Sequence, residues 1–89
     1  MGTQKILNLK NLQYDYDNIS DVLYVSFGKP KKAIAVESEE GYLIRYEPFT
    51  DRLIGVTIID FKEKFFKNKR LNVRHFIQNN LPQIISKID

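Results

Sequence analysis

Eighty-nine residues, 43% of them hydrophobic and 28% charged, make one small folded domain and exclude a disordered chain. The absence of cysteine excludes disulfides, thiol nucleophiles and thiolate metal sites. The net charge of +3 is lopsided: residues 1–60 hold seven Lys or Arg against nine Asp or Glu, whereas residues 61–89 hold seven against only Glu63 and Asp89.

The chain opens on Met1 to Lys10, polar apart from Ile6, Leu7 and Leu9, so it lacks the apolar core of a signal peptide. No apolar run approaches the roughly 18 residues of a membrane helix. A cytoplasmic protein with no membrane partner and no cofactor is the expectation. Leu12, Tyr14 and Tyr16 alternate onto one face of a first strand ending at Asp17. Asp17-Asn18-Ile19-Ser20 is a turn, because Asp and Asn side chains bond their own backbone there. Asp21 to Phe27 is a second strand, with Leu23, Val25 and Phe27 on one face and Val22, Tyr24 and Ser26 on the other. Gly28 to Lys32 is a loop whose proline and lysines discourage edge pairing. Ala33 to Glu37 reads as a short strand near an edge, and Ser38 to Gly41 closes a hairpin with Gly41 at positive φ.

The centre of the chain is Gly41 to Asp60, two apolar runs flanking a turn on Pro48 and Asp51. Tyr42, Ile44 and Tyr46 share a face. Leu53 to Ile59 is apolar on both faces except at Thr57, which predicts a central strand covered on both sides. Gly55 inside it points to a bulge or a close backbone approach.

After Asp60 the period lengthens. Phe61 and Phe65, and Glu63 and Lys67, are four apart, which fits a helical turn or two. Asn68-Lys69-Arg70 is a break. Asn72 is a good N-cap for a helix whose stripe is Val73, Phe76, Ile77 and Leu81. Pro82 ends or kinks that helix near Asn79-Asn80, and Ile84, Ile85 and Ile88 continue an apolar face. The fold expected is α+β: an antiparallel meander of four to five strands over about residues 12–61, with helices over about 62–89 packed on one face. Apolar residues on both sides of Val22–Phe27 and Leu53–Ile59, with few helical residues to cover them, predict a two-fold homodimer.

Tyr16-Asp17-x-x-x-Asp21-Val22-Leu23-Tyr24-Val25, a Gly41-led strand ending in Tyr46, and Leu53-Ile54-Gly55-Val56-x-Ile58-Ile59-Asp60 together resemble the bacterial and archaeal domain-of-unknown-function family numbered 2283. The resemblance covers residues 14–61. It departs from the family pattern at Glu47, where an Asp is usual, near Asp51, where the hairpin usually turns on Gly, and at Thr57, where an acid is frequent. The family is small, β-rich and uncharacterised, and its members often lie beside small toxin-like genes. The resemblance therefore implies an antitoxin-like or regulatory partner-binding role and carries over no catalytic residue.

The chemistry-bearing residues are sparse. Asp15, Asp17 and Asp21 form a tightly spaced acidic cluster, but Ser20 and Ser26 stand where an EF-hand loop needs Gly and Glu, so turn and strand-start capping is the simpler role. His75 lies off the apolar stripe and has neither a second His nor a Cys to make a zinc set or triad. Ser20, Ser26, Ser38 and Ser86 lack a nucleophile-elbow context, and the four glycines form no phosphate cradle. No catalytic constellation is recognisable, and a non-enzyme is expected.

The basic segment has the most functional pull. Lys62, Lys64, Lys67, Lys69, Arg70 and Arg74 lie within thirteen residues, interleaved with Phe61, Phe65 and Phe66. Cations that meet an acidic protein, or phosphates with bases stacked on exposed rings, would use such a segment. Buried phenylalanines under merely solvated lysines would also produce it. A protein-interaction module is the principal expectation and a nucleic-acid binder the alternative.

Overall fold

The computed structural model describes residues 12–28, 32–50 and 52–86. Five strands, β1 (Leu12–Asp17), β2 (Val22–Phe27), β3 (Ile34–Glu37), β4 (Tyr42–Tyr46) and β5 (Leu53–Ile59), form one antiparallel sheet in the order β1-β2-β5-β4-β3. Three short helices follow: α1 (Phe61–Phe65), α2 (Val73–Asn79) and α3 (Leu81–Ser86). The α+β class is as expected, and β5 is the central strand. The meander is interrupted once, because β3-β4-β5 folds back as a unit and β5, not β3, pairs with β2. None of the described helices is long and apolar enough to cross a membrane.

Local chemistry sets the turns. Asp17 Oδ1 accepts the Ile19 and Ser20 amides at 2.9 and 3.3 Å, tying the β1–β2 turn. Gly41 at φ 87° ends the β3–β4 turn, where the Gly41 amide bonds the Ser38 carbonyl at 3.0 Å and the Ser38 amide bonds the Tyr42 carbonyl at 2.8 Å. The Asn72 carboxamide accepts the His75 amide at 3.0 Å, the expected cap of α2. α2 stops at Asn79 and α3 begins at Leu81, with Pro82 in its first turn where no backbone donor is needed. The expectations on residues 1–11, Asp51 and Ile88 fall outside the described residues.

Register puts Leu23, Val25, Ile44, Val56 and Ile58 on one face, and the helices lay Phe61, Phe66, Phe76, Ile77, Leu81 and Ile85 against them. Phe76 is the keystone: its ring lies 4.7 Å from those of both Phe61 and Phe65. Such aromatic contacts add about 0.5–1.5 kcal/mol each beyond the area they bury.

The opposite face carries Val22, Tyr24 and Ser26 of β2, Gly55, Thr57 and Ile59 of β5, and Leu43 and Arg45 of β4. The helices pack on the other face. On this face Tyr24 is 42% and Ile59 40% exposed, which corrects the expectation that β2 is covered on both sides, whereas β5 is buried on both faces from Ile54 to Ile58. Thr57 and Gly55 are buried by their neighbours within the sheet, since apolar and β-branched residues on that face satisfy strand geometry as well as a core would.

Candidate functional site

The six cations singled out in the sequence are all exposed. Lys62 and Lys64 lie on α1, Lys67, Lys69 and Arg70 in the connection to α2, and Arg74 on α2. Over residues 61–86 they face a single acid, Glu63. Glu63 sits 3.7 Å from Lys67 Nζ with both side chains largely in solvent, a pair worth little. Lys64 Nζ stands 5.3 Å from the Tyr42 ring centre.

The interleaved phenylalanines do not accompany the cations to the surface. Phe61 is fully buried, Phe66 is buried and Phe65 is half-buried against Tyr42. A strip of bases stacked on these rings is therefore ruled out, because α1 turns its aromatic side onto the sheet. The aromatic at the basic surface is instead Tyr14, 44% exposed on the edge strand β1. Tyr14, Leu71 and Val73 line a shallow depression together with Asn72 and the two guanidinium-bearing residues Arg70 and Arg74. The sequence puts Tyr14 on one face of a first strand with Leu12 and Tyr16 and does not single it out. Only the placement of β1 at the sheet edge leaves it exposed beside α2.

A second polar constellation centres on Asp21. Asp60 precedes α1 at φ 56° and makes no side-chain cap bond. Asp21, at φ 58°, supplies the cap from forty residues upstream: Oδ1 accepts the Lys62 amide at 2.7 Å and Oδ2 the Glu63 amide at 3.2 Å. The Asp21 carbonyl takes the Phe61 amide at 3.0 Å, and the Tyr16 hydroxyl donates to Oδ1 at 2.8 Å. Burial pushes the Asp21 carboxyl up, but the amide bonds, the Tyr16 hydroxyl and the Lys62 charge outweigh it, and the group stays below its ordinary value. Tyr16 is pushed up to about 12, first by burial and then by its bond to Asp21 and the nearby charges of Asp21 and Asp17. This is a structural joint between β1, β2 and α1, so Asp17 and Asp21 do cap, Asp21 across the fold rather than locally.

A third feature lies on the uncovered face. The Arg45 side chain crosses bare Gly55, its Nη2 3.5 Å from both the Val25 carbonyl and Ser26 Oγ. A Cβ on Gly55 would collide with that guanidinium and stand 2.6 Å from the Val25 oxygen. The register also shifts beside it, leaving Ile54 as the extra residue between the Arg45–Gly55 and Tyr46–Leu53 pairs. Both reasons for a glycine in this strand hold.

The remaining chemical candidates are not gathered. Asp15 is exposed on β1, and no group of three or more potential metal ligands occurs among the described residues. The exposed His75 has its Nδ1 3.2 Å from the Asn79 amide nitrogen, which also donates to the His75 carbonyl at 2.9 Å. Ser38 Oγ accepts the Tyr42 amide and Ser86 Oγ donates to the Gln83 carbonyl. No protein-family model, curated protein or solved structure matches the chain.

Proposed function

We propose that the protein is a small interaction module that binds an acidic segment of another protein through the basic helical surface around Tyr14, Arg70 and Arg74. The observation that carries this reading is the depression itself. It joins an exposed tyrosine, two half-buried aliphatic side chains and two arginines. Tyr and Arg are among the residues most enriched as binding anchors, and Lys67 and Lys69, in the connection that carries Arg70, add positive charge that speeds encounter with an acidic partner. The resemblance to a family found beside toxin-like genes fits an antitoxin-like or regulatory role.

Nucleic acid is the second reading, favoured by the same arginines with Tyr14 as a stacking platform. Salt separates the two. Each phosphate neutralised on a duplex steepens log K against log salt by about 0.9, so a nucleic-acid complex collapses between low and physiological salt. An acidic peptide with an apolar anchor loses on-rate but keeps much of its affinity. The test compares wild type with Arg70→Glu/Arg74→Glu and with Tyr14→Ala. Binding is measured to a Glu- and Asp-rich peptide bearing Leu and Phe, to duplex DNA and to single-stranded RNA. Peptide binding that weakens in both variants supports the proposal. Equal binding by folded wild type and variants overturns it.

A further inference from the structure

We infer that β3 is a self-pairing edge, and that two copies of the chain associate through antiparallel β3–β3 contact to make a continuous ten-stranded sheet. The two halves of the observation are geometry and charge. β3 is the outermost strand beside β4, and all four of its residues are exposed. Ile34 and Val36 point to the helix-covered side of the sheet yet remain 54% and 49% exposed, because the helices end their cover short of this strand. An edge that no other described strand pairs, with two exposed β-branched residues, is the kind that natural proteins cover, charge or pair.

The hydrogen-bonding phase can be followed from the turn. Ser38 and Tyr42 form a bonded pair, and the register runs Glu37–Leu43, Val36–Ile44, Ala35–Arg45, Ile34–Tyr46. Antiparallel bonding alternates, so Val36 and Ile34 bond inward to β4 while Ala35 and Glu37 turn their amide and carbonyl groups to the open edge. A two-fold axis normal to the sheet at Ala35 then pairs Ala35 with its symmetry mate through two N–H···O bonds. It pairs Ala33 with the mate of Glu37 in the same way and sets Ile34 against the mate of Val36 on the same face.

Charge selects this orientation. Lys32 stands at the start of β3, and Glu37, Glu39 and Glu40 stand at its end and in the following turn. Antiparallel pairing lays Lys32 opposite the mate of Ser38, on the face of Ile34 and Val36, and sets Glu37 against the mate of Ala33, far from its own mate. Parallel pairing would stack acid on acid. The other edge, β1, carries Asp15 and Asp17. A β3-to-β1 contact is heterologous and does not close on itself as β3–β3 does. The uncovered sheet face offers no comparable match, since Asp15 and Asp17 rim one side and Glu37 the other.

A four-residue edge lies below the roughly 1,000 Å² expected of a stable interface, so the dimer is weak and populated only at high protein concentration. Sedimentation equilibrium from micromolar to millimolar protein reads it directly. Ala35→Pro removes an outward donor without breaking the ladder to β4 and should give a folded monomer. Val36→Ala trims the two symmetry-related Ile34–Val36 pairs and should weaken the dimer between about 2- and 30-fold. Wild type that stays monomeric at millimolar concentration overturns the inference, as does a folded variant dimer indifferent to both Ala35→Pro and Val36→Ala.

Discussion

Replacing Asp21 with alanine breaks the joint between the sheet and α1 at three points. The Lys62 and Glu63 amides lose their acceptor, the Tyr16 hydroxyl loses its partner, and a residue at φ 58° loses the short polar side chain that tolerates the left-handed region. Loss of an N-cap costs about 0.5–2 kcal/mol and one more hydrogen bond about 1 kcal/mol. With roughly 1 kcal/mol of backbone strain the total is about 2–4 kcal/mol. An 89-residue domain has a stability of about 4–13 kcal/mol, so the variant should melt some 10–25 °C lower. Urea unfolding at neutral pH measures this, and two companions divide it. Asp21→Gly relieves the backbone but not the cap, and Asp21→Asn keeps the conformation and one acceptor while removing the charge. The carboxyl is held below its ordinary value of 3.8 in the folded protein. Its contribution is thus complete above that pH and is lost as pH falls through the lower folded value, because the unfolded chain protonates first. Asp21→Asn should flatten that acid limb. An Asp21→Ala loss below about 0.5 kcal/mol would refute the long-range cap.

Three further outcomes follow from the same packing. Val56 is fully buried in the central strand, so Val56→Asp places an unpaired charge in the core and should abolish cooperative thermal unfolding. Gly55→Ala should cost about 1–3 kcal/mol in urea unfolding, and the loss should persist in an Arg45→Met background because the Val25 carbonyl still obstructs the new methyl group. Burial, then the bond to Asp21 and the nearby carboxylates, push the Tyr16 hydroxyl up to about 12 from its ordinary 10.0. Its contribution therefore holds below pH 10 and fades as pH climbs through 10 to 12, a loss that an alkaline unfolding series should find missing in Tyr16→Phe.

What the sequence disclosed was local. The Asp17 turn, Gly41, the Asn72 cap and the break at Asn79-Asn80 are each determined by side chains within a few residues, and each stands as expected. The alternation of Leu23 and Val25 with Val22 and Tyr24 located the strand but overstated its covering, since a sheet face open to solvent can be as β-branched and aromatic as a buried one. Insertion of β5 between β2 and β4 has no local signature. Neither has the Asp21 cap, whose amide partners lie 41 and 42 residues away. The basic segment was legible as charge. Its aromatic partner was not, because the nearby phenylalanines turn inward and Tyr14 arrives from the far end of the sheet.

The central claim, that the Tyr14–Arg70–Arg74 surface is where the protein meets an acidic partner, is tested most directly by amide NMR shifts during titration with the acidic peptide at physiological salt. The account predicts saturable shifts concentrated at Tyr14 and at residues 70–74, with the uncovered sheet face around Tyr24 and Ile59 unmoved. Saturable shifts centred on that open face, or no shifts at millimolar peptide, would contradict it.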